Sequence, residues 1–119
     1  LEVDRDQLAQ VVLNIAANGI RAMEGQGLLR LEAGLRDDGS RPRVTMSLAN
    51  DGPPIPAEQL ERIFDPFWTR AGDGTGLGLA ISERIAEAHG GTIEARNLGS
   101  GDDERGVVFS LLLPLGTGR

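Results

Sequence analysis

The sequence predicts an α+β fold, a two-layer α/β sandwich with a mixed, mostly antiparallel sheet and its helices on one face. Three observations predict it. Two segments, about 6–23 and 76–89, carry apolar residues at helical spacing. Two short runs alternate apolar and polar residues, the mark of half-buried strands, and two later stretches also read as strands. The order is helix, two strands, loop, helix, two strands, which favours hairpins over parallel crossovers.

In the first helix Leu8, Val12, Ile15, Gly19 and Ala22 share a face, with Val11 and Met23 beside them. Asp4 or Asp6 caps its start, and Gly25 and Gly27 end it. Leu29, Leu31, Ala33 and Leu35 then alternate with polar residues, as do Val44, Met46 and Leu48. The turn-rich stretch 37–42 joins them into an antiparallel hairpin expected to bury one face. Pro53, Pro54 and Pro56 stop the second strand, because proline gives a ladder no N–H. A short helix is expected at 57–62, and a long irregular loop follows at 64–76. In the last helix Leu77, Ile81, Ile85 and Ala88 are expected to face inward and Glu83 and Glu87 outward, with Gly90-Gly91 as its stop. Strands at 92–97 and 107–113 complete the set, joined by an acidic loop.

Composition narrows the function. The chain has 119 residues, 12 Lys+Arg against 18 Asp+Glu, and a net charge of -6. That length suits one domain, spanning 1–119. Without cysteine there is no disulfide framework, thiolate metal site or thiol nucleophile, and one histidine excludes a multi-histidine metal site. The acidic balance and only four aromatic residues argue against nucleic-acid binding. No apolar run is long enough to span a membrane, so no direct membrane contact is expected.

Two places invite chemistry. Asn14 and Asn18 stand four apart and present both amides on one helix face, with Gln7 and Arg21 on the same side. Asparagine is a mediocre helix former, so the pair needs a reason. Either the face is simply polar and solvated, or the amide oxygens hold a hard cation. Two neutral amides are too weak for a free metal cage. They suit Mg²⁺ that arrives with nucleotide phosphates and keeps several waters. The junction Gly74-Thr75-Gly76-Leu77-Gly78-Leu79 supplies a matching half. Its glycines let backbone N–H groups approach an anion, and the helix points its positive end there. A plain tight turn remains the alternative. The run is neither a Walker loop, since no Lys-Ser/Thr follows, nor a dinucleotide fingerprint, since no parallel strand precedes it.

Asn14-x-x-x-Asn18, Asn50-Asp51-Gly52-Pro53-Pro54-Ile55, Phe64-Asp65-Pro66-Phe67 and Gly74-Thr75-Gly76-Leu77-Gly78-Leu79 occur in this order. Together they resemble the N, G1, F and G2 boxes of the ATP-binding catalytic domain of sensor histidine kinases, within the GHKL (Bergerat-fold) ATPases. The resemblance covers about 4–114 and is most similar to kinases of the nitrogen-sensing type. It implies ATP and Mg²⁺ as cofactors. Asn18 then ligates the metal, Asn14 helps to hold the metal or its phosphates, and Arg21 reaches the phosphates. Gly74, Gly76 and Gly78 contact the phosphates through main-chain N–H groups, and Asn50, Gly52, Ile55, Thr75, Leu77 and Leu79 belong to the same nucleotide site. Phe64 and Phe67 anchor a lid over about 65–75, from which Arg70 could reach the γ-phosphate; where the family often has Lys this chain has Ala71.

Two departures matter. Hydrolytic relatives carry Glu where this chain has Asn14, a poor base, which favours phosphoryl transfer to a protein over hydrolysis. In the G1 box Asn50 stands in place of Asp, and Pro54 in place of Gly. An amide still accepts from the adenine amino group, without the charge that roughly doubles such a bond, so adenine recognition is expected to be weaker but retained. Asp51 is expected to point to the other side of the strand end. His89, at a helix terminus, is expected to be structural. The phosphoryl acceptor is then a His on a separate helical dimerisation domain upstream, and the next partner is a response regulator receiver domain. The strand expected before the first helix is mostly missing, so the chain is read as a truncated piece of a kinase, itself cytoplasmic, with membrane anchoring of the parent protein left open. A GHKL ATP hydrolase and a non-catalytic nucleotide-binding or regulatory module are the alternatives.

Overall fold

Asp4 opens the first helix: its carboxylate accepts from the Gln7 N–H at 3.0 Å, and α1 runs Arg5–Ala22. The computed structural model describes residues 3–37, 42–68, 77–99 and 104–115. Val11, Ile15 and Gly19 are the buried stripe of α1, continued by Met23 at its C-cap. Ile15 and Gly19 are as predicted, while Leu8, Val12 and Ala22 of the predicted face are only half-buried, and the stripe is rotated toward Val11 and Met23. The helix stops in a left-handed turn. Glu24 and Gly25 have φ of 57° and 81°, and the Gly25 N–H reaches back to the Ile20 carbonyl.

The strands are β1 (Leu29–Arg36), β2 (Arg43–Asn50), β3 (Thr92–Asn97) and β4 (Val107–Pro114). They form one sheet in the order β1-β2-β4-β3, and every pairing among the described residues is antiparallel. α2 is a single turn, Ala57–Leu60, shorter than expected, and α3 is Gly78–Ala88. Both long helices lie on one face of the sheet, over a core built from Val11, Ile15, Leu48, Ile63, Phe109 and Leu111. Phe64 joins that core edge-on to Phe109, with ring centres 6.3 Å apart.

Two expectations fail, one of them in part. β1 was expected to bury the face carrying Leu31 and Leu35, yet these are 55% and 71% exposed. β1 is an outer strand, and α1 lies mainly over β2, meeting β1 chiefly at Leu29, beside Gly19. In α3 the expected inward set of Leu77, Ile81, Ile85 and Ala88 holds only in part: Ile85 packs against the core and Leu77 is half-buried. Ala80, Ser82 and Ala86 are buried, Ile81 and Ala88 are exposed, and Glu83 is half-buried. Small residues let α3 approach α1 closely, and that contact outweighs the exposure of Ile81.

Among the described residues no helix covers the other face of the sheet. The row Glu32, Ser47, Ser110 and Glu94 crosses it, with a hydroxyl–hydroxyl bond of 3.1 Å between the two serines. An open depression of about 350 Å³ lies there, rimmed by Arg30 and Arg96.

Candidate functional site

α1 and α3 run antiparallel and are tied at both ends. At one end the Asp4 N–H donates to His89 Nε2 at 3.0 Å, while His89 Nδ1 bonds the Ile85 carbonyl at 2.8 Å. Since Nε2 accepts, Nδ1 carries the proton and donates; His89 is a brace between helix termini. At the other end Asn14 Nδ2 donates to the Gly78 carbonyl at 3.1 Å and to Ser82 Oγ at 3.4 Å. Ser82 is completely buried and its hydroxyl donates to the same Gly78 carbonyl at 2.9 Å. The first amide of the Asn pair thus sits on the opening turn of α3.

Asn18 lies one turn further along α1, past the α3 opening, on the face that carries Asn14. It is half-buried, and its amide makes no hydrogen bond among the described residues. Among the described residues Asn14 Oδ1 accepts from Gln10 alone, at 3.2 Å, which leaves it a lone pair. Arg21 is exposed in the last turn of α1. On the facing side α3 begins at Gly78, two residues later than expected, and its N-cap, Leu77, makes no side-chain capping bond. Backbone N–H groups in the first turn of a helix have no partner within it, so donors gather at this end. Leu77, Gly78 and Leu79 are all half-buried. Arg70, Gly74, Thr75 and Gly76 lie outside the described residues, as does most of the expected lid.

The exit of β2 lies beside the C-terminal part of α1. Asn50 is 5% exposed, with its amide beside Gly19 of α1. Its Oδ1 accepts from the Gly52 N–H at 2.8 Å and keeps a second lone pair for another donor. A Cβ on Gly52 would press on that same oxygen at 2.8 Å, so the turn needs glycine. Asp51 turns the other way, as expected: its carboxylate accepts from the Leu28 N–H at 3.3 Å. Ile55 is 4% exposed and belongs to the core. Asn50, Ile55 and the asparagines of α1 therefore approach one end of the helix layer.

Phe64 is anchored as expected, but Phe67 is not. It is 73% exposed and has φ of 68°, a left-handed conformation uncommon for an aromatic residue. Sequence reasoning missed Ser82 and Asn97. A Ser among apolar residues on α3 was the signal for the first. For Asn97 an Asn ending a strand was the only one.

Electrostatics add a smaller feature. Glu83 on α3 is pushed above the ordinary glutamate range, first by burial, then by Glu87 and Asp65. Among the described residues no cluster of histidine and carboxylate side chains could hold a metal, and no helix is long and apolar enough to cross a membrane.

Comparison with known proteins agrees with this geometry. The profile of the family described as histidine kinase-, DNA gyrase B- and HSP90-like ATPase matches residues 3–117. The chain is 39% identical over 115 residues to the sensor histidine kinase ZraS of Salmonella typhimurium, covering 97% of this chain and 23% of ZraS. It is 39% identical over 103 residues to the sensory histidine kinase/phosphatase NtrB of Rhodobacter capsulatus, covering 79% of this chain and 29% of NtrB. The chain thus spans about a quarter of the length of these curated relatives. Among solved structures the catalytic domain of histidine kinase ThkA superposes with a TM-score of 0.76 at 38% identity, over 96% of this chain and 71% of that one. Full-length ShkA in complex with AMPPNP gives 0.69 at 32% identity, over 93% of this chain and 22% of that one. With a four-stranded antiparallel sheet under two antiparallel helices and asparagines at their junction, the chain belongs to the histidine kinase-, DNA gyrase B- and HSP90-like ATPases.

Proposed function

We propose that this chain is the ATP-binding catalytic domain of a two-component sensor histidine kinase. ATP lies between α1, the opening of α3 and the segment 65–75. The observation that carries the reading is the 3.1 Å bond from Asn14 to Gly78, which joins the amide pair of α1 to the phosphate-binding end of α3. That the matched relatives are kinases supports it.

The residues fit Mg²⁺. Asn18 has an unengaged amide and Asn14 a spare lone pair, both neutral oxygen donors of the kind a nucleotide-borne Mg²⁺ accepts. When bound, Mg²⁺ offsets the negative charge of the β- and γ-phosphates. The chain's own groups do the rest. Main-chain N–H groups from Gly74 to Leu79 orient the phosphates, with Arg21 and Arg70 adding positive charge. Asn50 accepts from the adenine amino group, and Gly52 and Ile55 wall the base.

A His nitrogen on the separate dimerisation domain forms the new P–N bond as the γ-phosphorus leaves the β–γ bridging oxygen, and ADP departs. Catalysis is mostly positioning and charge stabilisation. Asn14 cannot take a proton from water as a Glu would, so hydrolysis is disfavoured. The phosphoryl group then passes to an Asp of a response regulator. The reaction draws on cytoplasmic ATP, which places the domain there.

Incubated with γ-labelled ATP and Mg²⁺, the chain alone is expected to stay unlabelled. The phosphoacceptor domain of the same protein, once added, is expected to become labelled. Steady ATP turnover by the chain alone would instead make it a hydrolase. No calorimetric response to Mg·ADP would leave a non-catalytic module.

A further inference from the structure

Between Gly52 and Ala57 the chain reads Pro53-Pro54-Ile55-Pro56, so Ile55 holds the only backbone N–H of the stretch. Asn97, at the end of β3, takes it. The Ile55 N–H donates to Asn97 Oδ1 at 2.8 Å, and Asn97 Nδ2 donates to the Ile55 carbonyl at 2.9 Å. One side-chain amide thus replaces the paired peptide that a neighbouring strand would supply. The other end of the turn is fastened too, with the Gly106 N–H donating to the Gly52 carbonyl at 2.8 Å.

The sheet register adds a second observation. Asn50 and Asn97 both stand opposite Val107, one on each side of β4. Both belong to the row that crosses this end of the sheet on its helix-covered face. Asn50 Oδ1 is in turn set by the Gly52 N–H. The contacts form a chain: Asn97 fixes Ile55, Ile55 and Gly106 fix the proline turn, and Gly52 fixes the amide of Asn50.

We infer that Asn97 is a positioning residue for adenine: its bidentate grip on Ile55 holds the proline turn in the register that lets Asn50 meet the base. This rests on the nucleotide reading of the site. Asn97 touches neither base nor phosphate in this role. Its loss weakens base recognition and leaves phosphate binding intact. A merely structural residue would weaken both alike, in proportion to lost stability.

The test is calorimetry on the 119-residue chain with Mg·ATP and Mg·GTP, wild type against Asn97→Ala, with thermal unfolding of each. Asn97→Ala is expected to bind ATP about tenfold more weakly, the scale of one or two net hydrogen bonds, with GTP affinity nearly unchanged, so the preference for ATP collapses. Equal ATP affinity, or equal losses for ATP and GTP, overturns the inference. Asn97→Asp provides the second variant. It keeps the acceptor for the Ile55 N–H but sets a carboxylate oxygen against the Ile55 carbonyl. Its ATP affinity is expected to fall at neutral pH and to recover, relative to wild type, as the new carboxyl is protonated. A flat ratio across pH, with affinity at the wild-type level, overturns the inference. A wild type that binds no adenine nucleotide overturns the site reading itself; a wild type that binds, beside an Asn97→Ala that binds equally well, overturns only the role of Asn97.

Discussion

Asn14 and Asn18 are the same residue type one turn apart, yet they do different work in the protein at rest. Asn14 ties α1 to Gly78 and the buried Ser82, whereas Asn18 makes no hydrogen bond among the described residues. Substitution should separate stability from binding. Asn18→Ala is expected to leave the unfolding midpoint nearly unchanged and to remove the Mg²⁺-dependent part of ATP affinity, at least about tenfold by calorimetry with and without the metal. Asn14→Ala is expected to lower stability as well, by about 1 kcal/mol in urea unfolding, because it removes the amide donor to both the Gly78 carbonyl and the Ser82 hydroxyl. If Asn18→Ala proves the more destabilising of the two, the division of roles is wrong. Asn50 offers the converse experiment. Asn50→Asp keeps the acceptor for the Gly52 N–H and is expected to tighten ATP binding, since a carboxylate bonds the adenine amine more strongly than an amide.

The antiparallel pair of α1 and α3 is set by contacts at its two ends and by small residues between them. His89→Ala removes both ties at the Asp4 end and is expected to cost about 1 kcal/mol, read by chemical unfolding, without changing nucleotide affinity. On α3, Glu83 carries the linkage effect. Its carboxyl pKa is raised by burial and by Glu87 and Asp65, so the native state holds the proton more tightly than the unfolded chain does. Stability therefore falls as pH rises from the ordinary glutamate range through the raised value. Glu83→Gln is expected to be more stable than wild type at neutral pH, with the gain vanishing at about pH 4. The effect is small, because the side chain is only half-buried. These elements also show what the sequence could reveal. The inward placement of Ile15 and Gly19, the limits of β3 and the glycine stop after α3 follow from local rules of period and capping. The rotation of α3 does not. A stripe of Ile and Leu looks inward until one knows that α1 requires small side chains opposite it. Asn97 was hidden for a similar reason: its partner Ile55 lies 42 positions away, and no local pattern announces a side chain that stands in for a strand.

Across the whole molecule the sheet divides two kinds of surface. One face takes the helices, the core and every described residue of the candidate site; the other, over which the described residues place no helix, carries a depression lined largely by charged and hydroxyl side chains. The order helix, two strands, helix, two strands along the chain made this plan legible, because strands paired in hairpins leave the intervening helices on one face. The exposure of β1 needed the coordinates. Among the described residues it is an outer strand with no strand paired along one side, and Leu31 and Leu35 stand in solvent beside that edge. Such an edge is a template for another polypeptide. The 119-residue chain is expected to self-associate as its concentration rises, and Leu35→Lys is expected to delay this in light scattering with nucleotide affinity unaltered. For anyone handling the protein, its colloidal behaviour is governed from the margin of the sheet farthest from β3, and can be adjusted there without touching the chemistry.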